Sequence, residues 1–382
     1  MNDTQNSQTT TLAEENLTEK NPVTPVSRWK LMLLLVTALV AISCFTFWYF
    51  CLRMPGESYS RANRANSETA LKPTLYENPQ AEDTGEKNEE VAVEEQLQSH
   101  VVHLAETIGE RNLGQYDNLC QAADYVEGQL TEFGYTTARQ TFQVRNLDCF
   151  NIEAEIKGKT RPEEIVIIGG HYDSFIGTPG ANDNGTGTAG MLVLANHFRE
   201  FEPGRTLRFV AWTNEEPPYF QNRGQMGSWV YAEKCRKEEQ EIVAVLSLET
   251  MGFFTDEEDS QKYPAPLNLL YPSTGNFVGF VSDLSSRQLQ RQVIKKFREH
   301  AKIPSEGASL PQSTTGVGWS DHWSFWQEGY VGLMVTDTAP FRYPHYHKAT
   351  DTPDKVNFPE MAKVIDGLVF VIEDLVKVKA EN

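Results

Sequence analysis

Apolar residues recur every three or four positions along 97–111 and again along 116–135, and the second run stops at Gly134. That spacing predicts two surface helices, the glycine marking where the second ends. The segments 139–147 and 150–158 then alternate polar and apolar side chains, as half-exposed strands do. Four shorter runs, 164–170, 206–213, 241–249 and 330–336, are apolar almost throughout, the pattern of strands buried on both faces. Helical periods separate them at 185–201, 227–240, 284–300 and 358–379. Such alternation predicts an α/β fold with a mixed, mostly parallel central sheet flanked by helices on both faces. Ligands of such sheets collect outside the carboxyl ends of the strands.

Before this region the texture differs. Leu31 to Leu52 is a run of 22 residues without a charge. At about 1.5 Å per residue it would span a hydrocarbon core of roughly 30 Å. The chain therefore divides into a polar tail over 1–29, a transmembrane signal anchor over 30–52, an acidic flexible linker over 53–95, and a folded domain over 96–382. A cleaved signal peptide is the alternative for the apolar run, which is longer than usual for one and is followed by no clear cleavage site. Trp29, Trp48 and Tyr49 sit where interfacial aromatics are expected. Flanking charge barely orients the helix, since Lys20, Arg28 and Lys30 face Arg53, Arg61 and Arg64. A single helix this near the N-terminus predicts single-pass membrane attachment with an extracytoplasmic domain. Of the five cysteines, Cys120 and Cys149 are either a disulfide suited to an oxidising compartment or buried free thiols.

A net charge of -19 argues against nucleic acid as a partner, because phosphate neutralisation needs clustered Lys and Arg. A negative cleft would instead draw cations, whether metal ions or the ammonium of a peptide N-terminus.

The ends of the buried strands share one chemistry. The run 164–170 leads into His171 and Asp173, 206–213 into Asn214, Glu215 and Glu216, and 241–249 ends on Glu249. Asp183 follows in "PGANDNGTG", and His345 and His347 follow the last core strand in "FRYPHYHKATDTPD". Taken singly, a histidine or glutamate at a strand end is an ordinary structural residue. Imidazoles and carboxylates converging on one sheet edge are the ligand set of zinc-like cations. Their number suits two metals sharing a carboxylate and a water, with one carboxylate left off the metals as general base.

These motifs, "GGHYDS", "GANDNGTG", "NEEPP", "SLETMG", "SDHWSFW" and "PHYHKATDTPDKV", in this order over roughly 96–379, resemble the M28 family of zinc aminopeptidases and related metallopeptidases. The resemblance implies a zinc exopeptidase-like fold and two zinc ions. It implies that His171 ligates one metal, Asp183 bridges both, Glu216 and His347 complete the second site, and Glu215 is the general base. Glu249 would complete the first site, where many members carry Asp. Asp173 would orient His171, and Asp321 and His322 would lie near the substrate pocket, Ser320 and Asp321 capping a helix being the ordinary alternative. Tyr343 or Tyr346 would help stabilise an oxyanion. The implied activity is removal of N-terminal residues from peptides. A carboxypeptidase or a glutaminyl cyclase of the same fold is the alternative, and a catalytically silent binding ectodomain is the alternative of another class.

Overall fold

Residues 28–59 and 85–378 are described by the structure, a computed structural model. The predicted polar tail up to residue 27 and the middle of the predicted linker lie outside the described residues. The chain divides into two compact units, 1–48 and 49–382.

The first unit holds helix α1 (Arg28–Phe47), whose leucines at 33, 34, 35 and 39 are exposed. A π-helical turn, Trp48–Leu52, continues the chain into the second unit. Among the described residues no helix is long and apolar enough to cross a membrane. The last residues of the predicted span lie in the second unit. Cys51 and Leu52 are buried in the second unit beside Leu310, Val317 and Trp326, so their apolar surface is already spent on protein. The stretch after them is not free linker either. Arg298 donates to the carbonyls of Pro55 and Gly56, and the Ser305 amide donates to the Ser58 hydroxyl at 2.8 Å.

The second unit continues with α2 (Gly85–Val102), which starts inside the predicted linker, and α3 (Tyr116–Glu132). Gly134 then takes φ +94°, as the stop signal after α3 requires. Strands β1 (Thr137–Val144), β2 (Leu147–Ile156) and β3 (Arg161–His171) follow, then α4 (Gly187–Phe198), β4 (Arg205–Trp212), α5 (Gly227–Lys237) and β5 (Glu241–Glu249). The last third runs β6 (Val278–Ser282), α6 (Arg287–His300), β7 (Ser305–Ser309), α7 (His322–Gln327), β8 (Leu333–Thr336), α8 (Ala339–Arg342) and α9 (Phe358–Val376). Eight strands form one sheet in the order β1-β2-β4-β3-β5-β8-β6-β7. Pairing is parallel at β4-β3, β3-β5, β5-β8 and β6-β7 and antiparallel at the other three, so the expected mixed, mostly parallel sheet is present.

Strand β3 shows why the central runs are apolar at every position. Val166 and Ile168 join the main core beneath α4 and α9, while Ile165 and Ile167 join a second core with Tyr231 of α5 and Phe325 of α7. Period-2 alternation thus loads both faces. Gly169 and Gly170, just before the end of the strand, allow close packing, because a Cβ at 169 would run into the Val210 carbonyl and one at 170 would lie 2.8 Å from the Leu248 carbonyl. Strands β6 and β7 have no counterpart in the sequence prediction. Cys120 and Cys149 are both free thiols, so no disulfide joins them.

Candidate metal centre

Three parallel neighbours deliver the polar side chains. His171 is the last residue of β3, Glu249 the last of β5, and Glu215 and Glu216 lie three and four residues past Trp212, which ends β4. Because β4, β3 and β5 are adjacent, these ends share one edge. The loop between β3 and α4 adds Asp183, and the loop after α8 adds His347.

Two triads result. His171 groups with Glu215 and Glu249, and His347 with Asp183 and Glu216. His171 Nε2 lies 3.2 Å from a Glu249 oxygen, 3.6 Å from Asp183 Oδ1 and 3.7 Å from Glu215 Oε2. His347 Nε2 lies 3.1 Å from Asp183 Oδ2 and 3.2 Å from Glu216 Oε2. Asp183 therefore turns one oxygen to each histidine. His171 Nε2, His347 Nε2, Asp183 Oδ2 and Glu216 Oε1 are buried with no hydrogen-bond partner. Buried polar atoms are almost always satisfied. Unsatisfied His171 Nε2, His347 Nε2 and Asp183 Oδ2 converging with carboxylate oxygens at these distances fit a pair of divalent cations of the zinc type.

A supporting shell fixes each ligand. His171 Nδ1 faces only the acceptors of Asp173, its carbonyl at 3.2 Å and Oδ1 at 3.4 Å, which leaves Nε2 as the coordinating atom. Asp173 thus sits against the side of the imidazole that faces away from the triads. It also accepts the amides of Glu215 and Glu216, each at 3.2 Å, and so ties two strand ends together. Asp351 accepts the amides of Asn182 and Asp183 at 2.9 and 3.1 Å. Ser320 donates to Glu249 at 2.7 Å. Buried Arg111 donates to the carbonyls of Tyr172, Pro179 and Gly180, pinning the loop that carries Asp183. His347 takes φ +55°, and its ring lies between Phe175 and Tyr346, with centroids 4.0 and 3.8 Å away.

Asp351, Ser320 and Arg111 are absent from the sequence-predicted set. Asp351 sits in the quoted "ATDTPD" and could have been flagged there; nothing local marks Arg111. The Tyr343 hydroxyl donates to Asp351 at 2.7 Å, which commits it to the shell around Asp183. His322, expected near the substrate pocket, bonds the Val317 carbonyl through Nε2 and packs its ring edge-on to Trp326. Asp321 is fully buried, its oxygens unpartnered, and neither it nor Ser320 caps α7 with a side-chain hydrogen bond. His345, as expected of a loop residue, bonds Thr350.

Burial and mutual repulsion among carboxylates dominate the electrostatics. Burial, then neighbouring Asp183, pushes Glu216 up to about 8. Burial also raises Glu249, and it raises Glu215 well above the usual carboxylate range, with Glu249, Glu216 and Asp321 adding to the shift. Burial would lower His347, but Asp183 and Glu216 outweigh it and lift it to about 10. Without metal, the fold therefore holds protons that the unfolded chain would release. A folded-state pKa above the unfolded value stabilises below the unfolded value, and that stability is lost as pH rises through the folded one. Metal-free protein should thus lose stability between pH 4.5 and 8 through Glu216 and between 6.5 and 10 through His347. Zinc should raise the Tm most at the alkaline end of that window. Thermal unfolding with chelator and with zinc across the range checks this; a zinc-induced gain that shrinks with rising pH would contradict it.

Comparison with known proteins agrees with this geometry. Residues 151–372 match the model of peptidase family M28. The uncharacterized Escherichia coli protein YfbL is 32% identical over 73% of this chain and 87% of its own length. A Saccharomyces cerevisiae protein named a probable aminopeptidase is 24% identical, over 66% of each chain. Among solved structures, a zinc aminopeptidase from Bacillus subtilis superposes with a TM-score of 0.59 at 15% identity, over 75% of this chain and 96% of that one. A glutaminyl cyclase from Fimbriiglobus ruber gives 0.54 at 18% identity, over 73% and 94%. At such identities the superpositions speak for the fold. The matched span runs from β2 into α9 and holds both triads whole, so the chain belongs to peptidase family M28 and is a hydrolase.

Proposed function

We propose that the protein is a membrane-attached aminopeptidase using two zinc ions. The observation that carries this is Asp183, whose two oxygens address the unpartnered nitrogens of His171 and His347. His171, Glu249 and Asp183 Oδ1 would hold one ion, and His347, Glu216 and Asp183 Oδ2 the other. Zinc there supplies a polarised substrate carbonyl and a water acidic enough to attack near neutrality. Glu215 takes the water's proton and returns it to the leaving amine. Its raised pKa suits a group that must both accept and give a proton. Asp173 sets this geometry by gripping the Glu215 amide. Tyr346 lines the cavity beside Glu249, and burial, then Asp183 and Glu216, raise its pKa. The phenol therefore stays protonated and is the donor for the oxyanion that Tyr343 cannot be.

Attachment rests on the exposed apolar surface of α1 and on the uncharged run around it. The extracytoplasmic side is the one that a signal anchor at this position gives.

The test uses the full chain in isolated membranes washed with alkaline carbonate, with matched unblocked and N-acetylated peptides, zinc and chelator. Free amino acids are expected from unblocked peptides only, from the pelleted fraction, and not after chelation. Cleavage of blocked peptides would turn the reading to a carboxypeptidase or endopeptidase. Ammonia release from N-terminal glutamine without hydrolysis would turn it to a cyclase.

A further inference from the structure

Beside Glu249 lies a cavity of about 390 Å³, walled by Met334, Trp319, Tyr346, Val281, Thr338 and Phe341 among others. A second, of about 550 Å³, shares Val281, Thr338 and Phe341 with the first and extends away from the metal ligands along Phe280, Leu310 and Val317. The two are neighbours with a common wall.

The second cavity has polar side chains in its lining, but most of them are engaged elsewhere. Tyr263 donates to the Pro272 carbonyl and Tyr271 to the Gly307 carbonyl, each at 2.8 Å. Gln261 accepts from Arg342 at 2.7 Å and Thr338 at 3.1 Å, and donates to the Lys262 carbonyl at 2.8 Å. Glu306 lies 3.9 Å from Arg298. A group entering this space finds apolar contact and few hydrogen-bond partners, so the space selects an alkyl or aryl group.

Phe341 stands in the wall common to both cavities, on a fixed backbone. Its amide donates to the Thr338 carbonyl and its carbonyl accepts from the Lys262 amide, each at 2.9 Å. Next to it, buried Arg342 reaches Gln261 and the carbonyls of Phe253 and Phe277, which locks α8 in place. The ring itself lies 2.8 Å from where a Cβ of Gly316 would stand, and Gly316 has φ +89°. A side chain there would be strained and would collide, so glycine leaves the ring its position. The ring is nearly parallel to Trp319, at 13° and 6.3 Å between centroids.

We propose that Phe341 is a specificity-determining residue that sets how long an apolar side chain the enzyme accepts on the residue it releases. The near cavity holds that side chain next to Glu249, and the ring divides it from the inner cavity. Trimming the ring joins the two and admits the far end of an aryl-extended or long unbranched chain. This rests on the aminopeptidase reading above.

The test compares leucine with homophenylalanine as the N-terminal residue of otherwise identical peptides, in the parent, Phe341→Ala and Phe341→Leu. One methylene of fit in such a pocket is worth about 10- to 200-fold. The kcat/KM ratio of homophenylalanine to leucine is expected to rise at least about tenfold in Phe341→Ala, and by less in Phe341→Leu. An unchanged or falling ratio in both variants would overturn the proposal. Calorimetric binding of leucine and homophenylalanine hydroxamates to the zinc-loaded proteins repeats the comparison without turnover. A parent that releases nothing from unblocked peptides sinks the aminopeptidase reading, while the affinity ratio still decides on Phe341.

Discussion

Glu215→Gln is expected to keep its zinc and lose turnover by roughly a hundred- to ten-thousandfold, the usual share of a general acid–base group. The substitution keeps the side chain's length and shape, and the backbone stays tethered by the amide that Glu215 donates to Asp173 at 3.2 Å. What it removes is the ability to accept a proton. His171, Glu249, Asp183, Glu216 and His347 are untouched, so zinc content by elemental analysis should match the parent. The KM should change little, because the missing interaction belongs to the proton transfer and not to substrate binding. Parent-like turnover would remove Glu215 from the mechanism. Loss of zinc along with activity would instead make it a ligand, a role its place in the first triad permits geometrically.

Asp183→Asn is the second large effect, and it strikes both metals at once. Each oxygen of Asp183 serves a different histidine, at 3.6 and 3.1 Å. Replacing one oxygen by an amide nitrogen and removing the charge leaves at least one site with a ligand too few. Residues that only orient a ligand typically cost 10–100-fold in metal affinity. A shared ligand should cost at least about 100-fold by the same scale, with activity falling even at saturating zinc. The fold should survive, because the Asp183 amide, not its side chain, bonds Asp351 and holds the loop. Competition against a chromophoric chelator gives the affinities. Two ions bound at parent strength would show that Asp183 does not bridge.

The triad residues carried by β3, β4 and β5 were legible because they close, or directly follow, elements whose period is plain. The runs that became β3, β4 and β5 are apolar enough to be read as buried strands, and a polar residue closing such a run stands out. Strands β6 and β7 were illegible for the opposite reason. "VGFVS" and "SEGAS" are only five residues each, the second small or polar throughout, and owe their strand conformation to pairing with each other and with β8. The partners of the ligands were half legible. Asp173 is two residues from His171, so adjacency revealed it. Arg111 and Ser320 act across the sheet, at sequence separations of about 60 to 70 from the groups they hold, and no local pattern carries that information. The choice between Tyr343 and Tyr346 needed the hydrogen bond that commits Tyr343 to Asp351, which no spacing rule supplies.

The docking of 51–58 onto the edge of the sheet changes what proteolysis can achieve. A cut between Ser58 and Gly85 would sever the covalent path from the apolar N-terminal run to the hydrolase. It would leave the stump seated by Cys51 and Leu52 in their cluster and by the Arg298 and Ser305 hydrogen bonds. The product would be a nicked, two-chain enzyme that keeps its N-terminal segment. Parting the two chains would take a denaturant.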